Sequence, residues 1–168
     1  MRAILAALAA LFLAPGLAFA QSVRVDSVAI ESFGIYTGQL QQRVQRPDGR
    51  FENVSTDIKL AVQTAAIPAQ IGLRFGLQYR VTGAPDGAPV ALRKVVLIPQ
   101  PGLKPPNAPA AVVRSETQLT AAVGVVGYTG WRFDDAYEFI PGVWTIQLWQ
   151  DDRKLVEKQF TVTVAPAA

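Results

Sequence analysis

The chain contains neither cysteine nor histidine. Without cysteine there is no disulfide, no thiolate metal ligand and no thiol nucleophile, so a folded domain has to be held by packing alone. The same absence removes the lipid-accepting residue of a bacterial lipoprotein. Without histidine, imidazole-based zinc or copper centres, Ser-His-Asp triads and Cys-His dyads are excluded, and most familiar hydrolase chemistry goes with them. Long apolar runs are scarce too. The only one, Ile4 to Leu13, is shorter than the roughly 20 residues a membrane-spanning helix needs. Dense basic runs are also missing: the formal net charge is +3 and nothing exceeds Arg93-Lys94, which argues against nucleic acid as a partner. No residue pattern calls for a cofactor.

What is present begins with an export signal. Arg2 precedes the apolar run, Pro15-Gly16 breaks it, and Ala18-Phe19-Ala20 places small residues where signal peptidase needs them. Residues 1–20 are therefore read as a cleaved signal peptide and 21–168 as a single mature domain without a membrane anchor, periplasmic or secreted. Cleavage removes Arg2 and takes the formal charge from +3 to +2.

Period-two alternation dominates the mature chain, as half-buried strands require. Leu73, Phe75, Leu77, Tyr79 and Val81 alternate with Arg74, Gly76, Gln78, Arg80 and Thr82, giving one core face and one wet face. Gly83-Ala84-Pro85-Asp86-Gly87 then leads to the apolar stretch Val90–Ile98, which reads as a hairpin. A second Pro-Asp-Gly, at 47–49, joins Gln39–Gln45 to Phe51–Thr56 as an edge hairpin, and Ile58, Leu60 and Val62 form a further strand. Trp144, Ile146 and Leu148, a turn at Asp151-Asp152, and Phe160, Val162 and Val164 make the last hairpin, with Trp149 off the apolar stripe. Five prolines between Pro99 and Pro109 rule out a strand or helix and suggest a long crossing loop. The pattern predicts an all-β, two-sheet antiparallel Greek-key sandwich of immunoglobulin-like type, with a closed barrel as the rival.

Three residue groups carry a family resemblance: Ile67-Pro68-Ala69 with Gly72-Leu73-Arg74-Phe75-Gly76, then Glu138 to Trp144 around Pro141-Gly142, then Leu155 to Val162. In that order they resemble a bacterial family of short secreted domains whose function is unassigned, over roughly residues 28–164. The Pro-Gly-x-Trp hairpin is similar to the last two strands of many immunoglobulin-like modules. The resemblance implies a fold and a compartment, and carries over no catalytic or binding residue.

Five aromatics, Tyr128, Trp131, Phe133, Tyr137 and Phe139, crowd into residues 127–139 beside Arg132, Asp134, Asp135 and Glu138. Two readings stand. The aromatics close the end of the sandwich, or the segment is a binding loop in which Tyr128, Trp131 and Tyr137 stack on a sugar ring or a partner's apolar side chain while Asp134 and Asp135 orient it. Asp134, Asp135 and Glu138 also have the oxygen chemistry of a calcium loop or a carboxylate hydrolase, but their spacing fits no calcium loop and no second carboxylate cluster faces them. Arg74, Arg80, Arg93 and Lys94 are expected on the solvent face of the Leu73–Ile98 hairpin, as a mildly basic strip. Together these features suggest a non-catalytic interaction domain with an envelope protein as partner, a carbohydrate-binding module as the alternative, and a hydrolase as the remote one.

Overall fold

The computed structural model describes residues 23–45, 51–106 and 108–165. The expected signal peptide, 1–20, and the Pro-Asp-Gly turn at 47–49 lie outside the described residues. Among the described residues nine strands follow in chain order: β1 Arg24–Gln45, β2 Phe51–Val62, β3 Ala66–Pro68, β4 Arg74–Ala84, β5 Pro89–Leu97, β6 Arg114–Ala122, β7 Val126–Arg132, β8 Gly142–Gln150 and β9 Arg153–Thr163, with one 3₁₀ turn at Ala136–Glu138. They form a four-stranded sheet, β2-β1-β4-β7, and a five-stranded sheet, β3-β9-β8-β5-β6. All pairs are antiparallel except the three-residue pairing of β3 with β9. The chain changes sheets between β2 and β3, β3 and β4, β4 and β5, β6 and β7, and β7 and β8.

The inner stripe of β4 is the one the alternation predicts, with Phe75, Leu77 and Val81 at 0% exposure. Phe75 sits at the centre. Its ring lies 5.3 Å from Phe160 and 6.0 Å from Trp144 of the opposite sheet, and 5.4 Å from Phe133 just past β7. The terminal hairpin also forms, β8 pairing with β9 around a turn in which Asp151 takes a φ of 50°, but β9 ends at Thr163 and Val164, expected on its apolar stripe, is exposed. The edge hairpin forms too, Gln45 pairing with Phe51. The two strands expected at 51–56 and 58–62 are one continuous strand, β2.

Three expectations are corrected. The Pro-Asp-Gly at 85–87 does not close a hairpin: β4 and β5 belong to different sheets, facing each other through their apolar sides rather than pairing by their edges. Turn chemistry sets the reversal of the chain, which Ala88 N–H closes onto Pro85 C=O at 3.2 Å, but not whether the flanking strands share a ladder. The proline-rich segment is not a crossing either. β5 and β6 pair from Leu97–Arg114 to Pro89–Ala122, and the ladder's closing bonds Ile98 N–H to Val113 C=O and Leu103 N–H to Val112 C=O make 98–113 a long hairpin connection. Finally, half of the segment read as a binding loop is strand, since Gly127–Arg132 belongs to β7.

Candidate functional site

The sequence-nominated residues separate by strand parity. Trp131 pairs with Phe75 and therefore faces inward, its ring 5.5 Å from Trp144. Tyr128 pairs with Gln78 on the outer face, edge-on to Tyr36 at 4.9 Å, and its hydroxyl donates to Phe75 C=O at 3.1 Å. Burial pushes the Tyr128 phenol far above its ordinary range, with the Arg74 guanidinium pulling the other way. The two aromatics thus lie on opposite faces of β7 and offer no common stacking platform. Asp134 is ion-paired with Arg132 at 3.1 Å, Asp135 is exposed, and Tyr137 is half-buried in the 3₁₀ turn. Phe133, at 0% exposure, and Phe139, edge-on to it at 5.5 Å, close the end of the core.

Glu138 turns inward. Its Oε2 accepts the backbone N–H of Asp134 at 2.6 Å and of Asp135 at 3.4 Å, tying the turn to itself rather than opening toward a substrate. Among the described residues no group of three or more Asp or Glu side chains is placed to hold a metal ion. Burial raises the Glu138 carboxyl to about 7, against the pull of those two N–H groups and with the push of the Asp134 and Asp135 charges. The native state then keeps a proton that an unfolded chain, with its carboxyl near 4.5, has released, so this group's contribution to stability falls as pH rises from 4.5 to about 7. Urea melts at pH 5 and pH 8 should show the wild type losing about 2–3 kcal/mol relative to Glu138→Gln across that window. Parallel pH curves for the two proteins would contradict this.

The basic strip does not form, because β4 and β5 diverge into separate sheets. Arg74 is buried on the outer face of β4, at 8% exposure, opposite Tyr36 and Arg132. Arg80 pairs with Glu31 at 2.8 Å and donates to Gly124 C=O. Arg93 lies over Trp149 at 5.8 Å on the outer face of the other sheet, which also answers where the off-stripe tryptophan goes. Lys94 alone turns into the space between the sheets. It shares the parity of Val90, Leu92, Val96 and Ile98, all buried, and its Nζ reaches Gly130 C=O of β7 at 3.3 Å. That parity is visible in the sequence and was the available signal for an inward lysine.

Lys94 marks one side of the sandwich as different. β6 and β7 are each the last strand of their sheet, and among the described residues no strand lies beyond either. Between them runs an apolar groove of about 410 Å³, lined by Tyr79, Leu119, Ala121, Val125, Val126 and Gly127 among others. Tyr79 forms its floor, its phenol raised to about 12 by burial, and reaches beneath Gly127, where a Cβ would stand 2.8 Å from the ring. Val125 and Val126 remain 54% and 41% exposed at the rim. At the other end of β7 the inward surface turns polar. Thr129 lies on that face, Thr117 and Ser115 lie opposite Lys94 and Val96 on β6, and all three are buried. Trp131 Nε1 is buried there with no acceptor among the described residues, whereas the indole of Trp144 donates to Ile140 C=O at 2.8 Å.

Two stacked sheets with this strand exchange define an immunoglobulin-like β-sandwich, and the fold agrees with the crystal structure of an immunoglobulin-like protein from Pseudomonas aeruginosa. That protein is 24% identical, with a TM-score of 0.58, and the match covers 86% of this chain and 100% of the other. By sequence, residues 24–162 match the family described as "Domain of unknown function (DUF3859)", and the chain belongs to that family. Among curated proteins none matches. The residue groups that carried the resemblance fall on β3 and the start of β4, on the approach to β8, and on β9.

Proposed function

We propose that this chain is a non-catalytic recognition domain, working outside the cytoplasm, that holds another polypeptide at the β6–β7 side of its sandwich. The observation that carries the reading is the apolar groove lying between two unpaired sheet edges, with Val125 and Val126 exposed at its rim. An exposed edge supplies backbone hydrogen bonds to an extended segment, and a neighbouring pocket supplies selectivity for its side chains. The absence of cysteine and histidine supports the non-catalytic part. So does the inward turn of Glu138.

Position-dependent crosslinking tests it. A photoreactive residue placed at Val125 or Thr120, in the groove, should capture a discrete partner in the native host, and the same residue at Val143 on the outer face of β8 should not. Capture from all positions alike, or from none, would remove the support for the groove.

A further inference from the structure

Resting on the groove being a polypeptide-binding site, we propose that its occupant is the C-terminal end of an extended chain, added parallel to β7, with its terminal carboxylate received by Lys94. The argument begins with which backbone groups of β7 are available. Just beyond the strand, Phe133 exchanges both of its backbone bonds with β4's side of the ladder, donating to Leu73 C=O at 3.0 Å and accepting from Gly72 N–H at 2.7 Å. In an antiparallel edge strand the residues alternate, so Tyr128, Gly130 and Arg132 direct their N–H and C=O groups away from β4. The Lys94 bond to Gly130 C=O confirms that direction at one of them.

Lys94 therefore stands at a defined point on an otherwise pairable edge. Its ammonium occupies the Gly130 carbonyl, so an added strand can pair along Val126–Thr129 but meets a positive charge at Gly130. A chain running antiparallel to β7 would bring its N-terminal side to that charge. A chain running parallel and ending there brings a carboxylate instead, of opposite charge to the Lys94 ammonium. The neighbouring Trp131 Nε1, a buried donor lacking an acceptor among the described residues, adds to the donor character of that end. The apolar groove begins at Tyr128, two residues back along β7 and so about 7 Å away at ~3.3 Å per residue. Side chains of an added strand alternate, so an apolar residue two or four positions before the terminal carboxylate enters it. Charge at one end and apolar volume at the other set the recognition chemistry: a C-terminal carboxylate preceded at period two by Val- or Ile-sized side chains.

The test uses a six-residue probe of alternating threonine and valine, fluorescein-labelled at its N-terminus, made once with a free C-terminal carboxylate and once with a C-terminal amide. Fluorescence anisotropy with the full domain should show the acid binding about tenfold more tightly than the amide. Lys94→Met should bring the two within twofold of each other, and Lys94→Arg should keep the preference. Lys158→Met should also keep it, since Lys158 sits 3.5 Å from the Phe33 ring at the opposite opening. Thermal melts of each variant exclude unfolding as the cause of lost binding. Equal affinity for acid and amide, survival of the preference in Lys94→Met, or no binding of either probe would overturn the proposal. Groove-specific crosslinking alongside any of these results would leave the recognition reading standing and refute only the carboxylate and its direction, whereas absence of that crosslinking would count against the recognition reading itself.

Discussion

Phe75→Ala is expected to lower the unfolding free energy by about 4 kcal/mol and the melting temperature by some 10–20 °C. Phe75 is fully buried and its ring meets three other aromatic rings, of which Phe160 and Trp144 belong to the opposite sheet. Truncation removes the transfer free energy of the ring and leaves a cavity whose walls are large rigid aromatics, which do not collapse into it. The cost is a large share of the total, since domains of this kind are stable by only about 5–15 kcal/mol and no disulfide restrains this one. Phe33→Ala is the internal control: Phe33 is half-buried beneath Lys158, and its loss should cost only about 1 kcal/mol. Denaturant melts of both variants measure the difference. A Phe75→Ala cost below about 1.5 kcal/mol would mean that the sheets are not held together at this point.

Gly76→Ala should be comparably severe for the opposite reason. Gly76 of β4 pairs with Gly130 of β7, and a Cβ at Gly76 would stand 2.2 Å from Thr129 O and 2.6 Å from Gly130 Cα. Both obstacles are backbone, so no side-chain rotation relieves them, and β7 has to move away from β4. Overpacking of this kind costs about 3 kcal/mol or more. Because β7 is one wall of the groove, the displacement should also weaken groove-directed crosslinking even where the variant remains folded. Gly87→Ala separates crowding from backbone strain. Gly87 has a φ of 75° but nothing within 4 Å of its Cβ position, so only the left-handed backbone penalty of about 1 kcal/mol applies. Equal losses for Gly76→Ala and Gly87→Ala would show that the close approach of β4 and β7 is not what glycine serves here.

The sequence is legible wherever apolar residues keep strict alternation, and illegible where parity breaks or where the inner face is not apolar. β1 is the clearest case of broken parity. Val25 and Val28 are both buried although three positions apart, because a bulge between Val25 and Ser27 inserts a residue, and a second bulge between Ile30 and Ser32 does the same for Ile30 and Phe33. β6 is the other kind. Its inward positions hold Ser115, Thr117, Leu119 and Ala121, too polar and small to register as a core stripe, and they pass unnoticed until β5 is placed beside them. Both walls of the groove, β6 and β7, belong to these unread segments: β6 lacks an apolar stripe, and the part of 127–139 that forms β7 carries aromatics on both faces.

Composition and local pattern alone determined that this is an all-β domain held without disulfides, that β4 and the β8–β9 hairpin each present one apolar stripe, and that imidazole and thiolate chemistry are excluded. These are properties of residue type and spacing, which neighbours in sequence settle among themselves. Only the tertiary structure decided that β4 and β5 face each other across the core instead of pairing, that Trp131 and Tyr128 point to opposite sides of one strand, and that Lys94 reaches across the sheets to an edge carbonyl. The first and third depend on which strands share a sheet, and the second on Val126–Arg132 being strand instead of loop. Strand partnership is a choice among distant segments with similar local preferences, and burying both apolar faces at once is what selects it.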